Sequence, residues 1–189
     1  CTGIKDGKYI ITDLNGDGEI SDDDRTYVGD AQPDLTFGWQ NNFTWKNWDF
    51  SFFFRGTIGN KVLNNPRAAY ANNTYLIGTN ALDDELTYTM KESSRVCSYY
   101  LENGSFIRLD NLALGYTFDT KKINWLDKAR LYFAAQNLFV ITGYKGLDPE
   151  VELFRGESSD TDAGLSPGIE PRQFFPKART FTLGVNLTF

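Results

Sequence analysis

Apolar and polar residues alternate without a break at the end of the chain. In Arg179-Thr-Phe-Thr-Leu-Gly-Val-Asn-Leu-Thr-Phe189 the apolar positions are Phe181, Leu183, Val185, Leu187 and Phe189. Thr182, Gly184, Asn186 and Thr188 between them are small or polar. Period two puts one set on each face of a strand. The same pattern recurs upstream. Leu35, Phe37, Trp39, Phe43 and Trp45 alternate with Thr36, Gly38, Gln40, Asn42 and Thr44, and Asn41 interrupts the apolar row. Lys46-Asn47 reads as a tight turn, after which Trp48, Phe50, Phe52 and Phe54 alternate with Asp49, Ser51, Phe53 and Arg55. These two runs predict a hairpin. A third strand is expected from Ser105 to Phe118, clean over Leu112, Leu114, Tyr116 and Phe118 and less regular over Phe106–Asp110. A fourth is expected from Ala129 to about Thr142, with Leu131, Phe133, Ala135, Asn137, Phe139 and Ile141 on one face.

The apolar rows are rich in Trp and Phe, and Asp49 and Arg55 fall on the other side. A face this apolar drives aggregation when it meets water, whereas it is the expected outer face of a strand in a bilayer. The closing strand also matches the roughly 9–11 residues that a tilted membrane-crossing strand needs. Trp45 and Trp48 beside the turn suit an interfacial aromatic girdle. The connections alternate in length. Lys46-Asn47 and Asp119–Lys128 are short, whereas about 61–104 and about 143–178 are long. A short helix is expected at Ala81–Leu86 within the first long connection. Short turns lie on the periplasmic side of outer-membrane barrels and long loops outside. That rhythm places the C-terminus in the periplasm, the long loops outside, and with them residues 1–33. Residues 34–189 are then the barrel strands and loops. The expected fold class is all-β, an antiparallel transmembrane β-barrel segment of about five strands. The competing reading is a secreted β-sandwich that buries the same aromatics.

Composition narrows the classes. Across 189 residues there are 25 acidic and 19 basic side chains, a net charge of −6, which argues against a nucleic-acid partner. Aromatics reach 15% while mean hydropathy is only −0.41, and no apolar run approaches the ~20 residues of a membrane helix. There is no histidine and there are two cysteines, Cys1 and Cys97. A Ser-His-Asp triad and a Cys/His zinc site are therefore absent. The cysteines pair as a disulfide or stay unpaired; sequence leaves both open. The opening Cys1-Thr-Gly-Ile-Lys5 has no signal-peptide h-region. A leading Cys1 fits either a lipidated N-terminus or a chain that starts within a longer protein, and the polar, glycine-bearing segment after it favours the second.

One motif carries metal chemistry. After a short strand expected at Lys8–Thr12, residues Asp13-Leu-Asn-Gly-Asp-Gly-Glu-Ile-Ser-Asp-Asp-Asp24 follow the spacing of a twelve-residue calcium loop. Asp13, Asn15 and Asp17 stand where side-chain oxygens are needed, and Gly18 where the chain turns sharply. Glu19 offers its carbonyl, Ser21 a water-mediated contact, and Asp24 replaces the usual glutamate. The expectation is a lone structural Ca2+ site, since no helix-loop-helix flanks it. The alternative is an acidic turn held by Asx-type hydrogen bonds.

The ordered set of motifs resembles one family. The acidic loop is followed by Gly29-Asp30-Ala-Gln-Pro33-Asp34-Leu-Thr-Phe-Gly38. Then come Ser105-Phe-Ile-Arg-Leu-Asp-Asn-Leu-Ala-Leu-Gly-Tyr116, Ala134-Ala-Gln-Asn-Leu-Phe139, Gly146-Leu-Asp-Pro-Glu150 and Pro176-Lys-Ala-Arg-Thr-Phe-Thr-Leu-Gly184. Together they look like the C-terminal end of SusC/RagA-type TonB-dependent transporters of the Bacteroidetes outer membrane. The resemblance implies a 22-stranded barrel filled by a plug, energised through TonB and capped by a SusD-like surface lipoprotein, importing oligosaccharides or peptides. No plug, TonB box or early strand is present here, so the chain accounts for about the last five strands. Outer-membrane lipid and the rest of the barrel and plug are then its expected surroundings.

Two function classes remain beside each other: a wall segment of such an importer, and a calcium-stabilised carbohydrate-binding sandwich. In either, Tyr70, Tyr75, Tyr88, Tyr99, Tyr100 and Tyr144 are candidates to stack on sugars, against a role in loop packing. In the first, Asp49, Arg55, Arg130, Gln136 and Asn186 line the lumen. Catalysis is not expected. Asp148 with Glu150 or Glu152 is the one carboxylate set that a glycosidase reading could use, and it sits in a turn-rich stretch.

Overall fold

The computed structural model describes residues 1–73, 78, 80–121, 123, 125–151, 167–172 and 175–189. In chain order the strands begin with a small hairpin, β1 (Gly3–Lys5) and β2 (Lys8–Ile10). Then come β3 (Leu35–Trp45), β4 (Trp48–Ile58) and β5 (Lys61–Leu63). Two short helices follow, α1 (Asn65–Tyr70) and α2 (Glu85–Thr89). The chain closes with β6 (Leu101–Asn103), β7 (Phe106–Phe118), β8 (Lys128–Thr142) and β9 (Thr180–Thr188). Single 3-10 turns occur at Asp22–Asp24 and Ser98–Tyr100.

The five long strands form one antiparallel sheet in the order β3-β4-β7-β8-β9. Neighbours in sequence are neighbours in space, an up-and-down meander. Alternation is what makes these segments strands. In β4, Trp48, Phe50, Phe52 and Phe54 pair across to Trp45, Phe43, Asn41 and Trp39 of β3. Lys46, at φ 54°, takes the left-handed backbone that the two-residue turn requires. Cross-strand rings meet at 6.1 Å for Trp39 and Phe54, 6.2 Å for Phe43 and Phe50, and 6.3 Å for Phe133 and Phe181. Such pairs contribute about 0.5–1.5 kcal/mol each beyond the area they cover.

β7 crosses the sheet without interruption, and its irregular start has a local cause. The register with β4 slips between Phe53 and Phe54, where Asp110 of β7 is the extra residue. Against β8 the pairing passes from Asn111↔Gln136 to Leu109↔Phe139. Each bulge adds one residue and returns the following side chains to their own face. Asn137 was expected on the apolar row of β8, and this is corrected. It sits in the bulge at φ 52°, hydrogen-bonded by the buried Arg108 and donating to the Lys177 carbonyl at 2.6 Å. Asn tolerates this backbone better than most residues.

The chain divides into two compact units. The sheet unit comprises residues 35–58, 106–142 and 176–189; the loop unit comprises 1–34, 59–105 and 143–175. The loop unit has its own core of Ala68, Ala71, Leu86, Met90, Cys97 and Tyr100. Cys1 and Cys97 form a disulfide with Cα atoms 5.6 Å apart. Asn64 caps α1 and Asp84 caps α2, each accepting a backbone N–H. The helix expected at Ala81–Leu86 thus starts after its Asp84 cap. Pro66 suits the first turn of α1, where its missing N–H would have no helical partner. The Lys8–Thr12 strand is real over Lys8–Ile10, paired with Gly3–Lys5.

Candidate functional site

The first functional feature is the sheet's pair of unlike faces. The register carries Trp48↔Tyr116, Phe50↔Leu114 and Phe52↔Leu112 into β7, then Leu114↔Phe133 and Tyr116↔Leu131 into β8. Phe133↔Leu183 and Leu131↔Val185 continue it into β9. All five apolar rows therefore share one face, and that face is open. Trp39 is 57% exposed, Phe43 54%, Phe181 60% and Leu183 73%. A sandwich would cover these side chains with a second sheet. A contiguous apolar surface of this extent, banded by Trp45, Trp48 and Trp125, suits hydrocarbon with an aromatic margin.

The opposite face is polar, as expected for a lumen. Asp49, Arg55, Arg130, Gln136 and Asn186 all fall on it by register. Arg130 grips Asp49 through two parallel bonds of 2.9 and 2.5 Å, and Arg55 meets Asp110 at 3.2 Å. Bidentate pairing holds the guanidinium plane in a fixed orientation. The Asp49–Arg130 pair passes over Gly115, where a Cβ would come within 2.4–2.6 Å of both partners. Gly184 likewise leaves room for the Tyr132 ring. These two glycines are needed for close approach. Their positions in the sequence pattern mark only the polar face.

Strand ends show the expected segregation. Leu35↔Ile58, Thr57↔Phe106 and Phe106↔Thr142 lie at one end of the sheet, where the long segments join it. The links at 46–47 and 119–127 join the other end.

The second feature is the acidic loop, which is folded by its own side chains. The Asp13 carboxylate accepts the Gly16 N–H at 2.6 Å and the Gly18 N–H at 2.8 Å. Asn15 accepts from Asp17 N–H and Asp17 from Glu19 N–H. Asp24 takes the Ser21 and Leu14 N–H groups on its two oxygens. Those backbone N–H groups, Ser21 first and Leu14 next, hold the Asp24 carboxyl below its usual range. Glu19 and Ser21 lie on the same loop, and Ser21 also caps the 3-10 turn. Gly16 and Gly18 have φ 78° and 87°. The six predicted ligand residues are thus on one turn made of hard oxygen donors. Among the described residues no three His, Cys, Asp or Glu side chains converge as a metal site. The Asx bonds of the alternative reading are present.

The tyrosine candidates divide. Tyr100 is fully buried and Tyr144 nearly so, so both are corrected from sugar platforms to packing residues. Tyr100 lies in the core cluster, against Tyr9 and Tyr99. Tyr88 is exposed at 69%, Tyr70 and Tyr99 are half-buried, and Tyr75 lies outside the described residues. Asp148 is buried and accepts the Glu150 N–H; Glu152 lies outside the described residues.

Sequence reasoning missed a buried acid. Glu170 is fully buried, accepting the Tyr144 hydroxyl at 2.6 Å and the Leu147 N–H at 2.9 Å. Burial pushes its carboxyl above the usual range despite these bonds, and burial followed by Glu170 pushes the Tyr144 phenol up. Nothing in Gly168-Ile-Glu-Pro-Arg172 signals burial, because Glu there is most often solvated.

An antiparallel sheet with one face for lipid, one for a lumen, and long segments at one end is a piece of transmembrane β-barrel wall. The chain belongs, as a segment, to the TonB-dependent receptors of the SusC/RagA type. It is 36% identical over 197 residues to TonB-dependent receptor P3 of Formosa agariphila, covering 97% of this chain and 19% of the receptor. It is 30% identical over 194 residues to TonB-dependent receptor SusC of Bacteroides thetaiotaomicron, covering 95% and 17%. The chain thus spans about one fifth of the length of these curated relatives. The RagAB peptide importer in its closed-closed state superposes with a TM-score of 0.67 at 25% identity, covering 94% of this chain and 20% of that one. A further RagAB peptide transporter structure gives 0.66 at 26%, covering 90% and 19%. No protein-family model matches.

Proposed function

We propose that the chain forms part of the barrel wall of a TonB-dependent outer-membrane importer that works with a SusD-like surface lipoprotein to take up oligosaccharides or peptides. The observation that carries this is the single open aromatic face backed by the Asp49–Arg130 and Arg55–Asp110 pairs. A carrier wall needs lipid on one side and a charged, hydrated path or plug on the other. The likeness to the RagAB peptide importer supports the peptide branch. The test is uptake by cells carrying the full-length protein, given labelled oligopeptides and labelled oligosaccharides in parallel. Loss of peptide entry on deletion, with sugar entry unchanged, selects that branch; unchanged entry of both removes the importer role. Pull-down of a surface lipoprotein with the detergent-extracted protein tests the partner.

The acidic loop is proposed to hold Ca2+ in a structural role. Asp13, Asn15 and Asp17 would give side-chain oxygens, Glu19 its carbonyl, Ser21 a bridging water, and Asp24 its carboxylate. All are hard donors of the kind calcium takes. The bound ion would replace the loop's internal hydrogen bonds as its organising contact. Calorimetric titration of the purified protein should show one site that Asp13→Ala and Asp17→Ala abolish. Equal heats for wild type and both variants would remove this assignment.

A further inference from the structure

One carboxylate in the loop unit bonds to both long connections. Glu102 stands on β6, opposite the buried Val62 of β5. One of its oxygens accepts the Asn64 side-chain amide at 3.2 Å and the other accepts the Lys145 N–H at 2.8 Å. Asn64 caps α1 in the first connection, and Lys145 lies near the start of the second. The Arg67 guanidinium of α1 is 3.6 Å from the same carboxylate. Its Nε also donates to Asp84, the cap of α2, at 2.8 Å. Its central carbon lies 5.8 Å from the centre of the Tyr99 ring. Arg67 thus serves two carboxylates from one position, as a planar fork of donors can.

A second path closes the circuit. Leu63 of β5 pairs in parallel with Ile169, near the end of the second connection. The Leu63 N–H meets the Gly168 carbonyl at 2.7 Å, and the Leu63 carbonyl accepts the Glu170 N–H at 3.0 Å. Glu170 in turn accepts the Tyr144 hydroxyl and the Leu147 N–H, on either side of Lys145. Both parts of the second connection are therefore tied to each other and to the β5–β6 pair. The Glu102 and Arg67 side chains are only 13% and 15% exposed, and Asn64 and Glu170 are buried. The remainder of a longer protein can add cover to such groups but cannot remove it. Charge-assisted bonds are strengthened where water is largely excluded. Removing one partner there leaves the other charge uncompensated.

We propose that Glu102 locks the two long connections into one body, so that a displacement imposed on either is passed to the other. Coupling of this kind travels through contiguous hydrogen bonds and ion pairs. Glu102 is a positioning residue in this role. The assignment rests on contacts inside the loop unit and not on what the importer carries or on calcium.

The test is hydrogen exchange of the full-length protein in detergent micelles, read by mass spectrometry. The reporters are the Ala68 and Ala71 amides of α1 and the Leu147 and Glu170 amides of the second connection, all hydrogen-bonded. Arg67→Met keeps an unbranched stem and removes the cation. It should speed the Leu147 and Glu170 amides about fivefold or more, although it alters only the first connection. Glu102→Gln keeps an acceptor for the Lys145 N–H but presents no charge to Arg67. In that background, adding Arg67→Met should change the Leu147 and Glu170 rates by less than about twofold. Arg67→Lys carries the same test with less disturbance, because one ammonium lacks the fork that serves Asp84 and Glu102 together; it should speed the same two amides. Acceleration by Arg67→Met and Arg67→Lys confined to Ala68 and Ala71 would overturn the proposal. So would an effect on Leu147 and Glu170 of equal size with and without Glu102→Gln.

Discussion

Reducing the Cys1–Cys97 disulfide should loosen the loop unit far more than the sheet. The size of the effect follows from how much chain the bond closes. The cysteines are 96 residues apart, but the hairpin between them stays paired in the sheet when the loop unit opens. Leu35 faces Ile58 at the sheet's end, so the chain free to move is Cys1–Asp34 on one side and Gly59–Cys97 on the other. A loop of about 73 residues releases roughly 4.4 kcal/mol of unfolded-state entropy at 25 °C on reduction, against about 4.7 for the full separation. Because the dependence is logarithmic, the shorter path changes little. The readout is hydrogen exchange of the Leu63 and Asn64 amides, which bond to the Gly168 and Tyr100 carbonyls at 2.7 and 2.9 Å. Reduction should speed their exchange by about three orders of magnitude. Amides of β4 and β7 should not change. Reduction also leaves every atom of the Cys97 side chain in place within the core cluster, unlike a substitution. An acceleration below tenfold would refute the reasoning, since the bond would then restrain no open ensemble.

Three further outcomes are expected. Leu183→Arg on the open face should destabilise the refolded full-length protein by about 2–4 kcal/mol near the bilayer midplane, whereas Thr182→Arg on the other face should cost far less; urea titration in vesicles reads both. Asn137→Ala should cost about 1–3 kcal/mol in the same titration, because it strips buried Arg108 of a bond and puts alanine at φ 52°. Glu170 supplies a pH dependence. Its folded carboxyl lies above its unfolded value, so its contribution is fully present below the unfolded value and is lost as pH rises through the folded one. Glu170→Gln should therefore match wild type in acid and exceed it increasingly toward neutral pH, by exchange at Leu63; a constant offset, or one of opposite sign, would contradict this.

What the sequence made legible follows from geometry that repeats. The rows through Phe52 and Leu183 have a period of two, so the face of each residue follows directly from the sequence. The lumen positions of Asp49 and Arg130 followed from the same count, although their pairing across Gly115 did not. Local conflict is where reading stopped. Asp110 reads as part of an irregular strand start and Asn137 as a member of the apolar row, until pairing on both sides of β7 reveals the bulges. For Tyr100 and Tyr144 the sequence left sugar stacking and loop packing side by side, because burial inside an irregular loop unit leaves no periodic trace. Glu170 was invisible for the same reason. The acidic loop was legible as a turn from its glycines and Asx spacing, and its carboxylates are folded onto their own backbone.

The account rests on lipid touching the aromatic face. Spin labels placed singly at each position from Phe181 to Thr188 of the full-length protein in vesicles test this directly, by relaxation with oxygen and with a water-soluble nickel chelate. Labels at Phe181, Leu183, Val185 and Leu187 should respond to oxygen, and those at Thr182, Gly184, Asn186 and Thr188 to the chelate or to neither. Low access to both reagents at the odd positions would mean that protein covers this face, and would contradict a membrane wall.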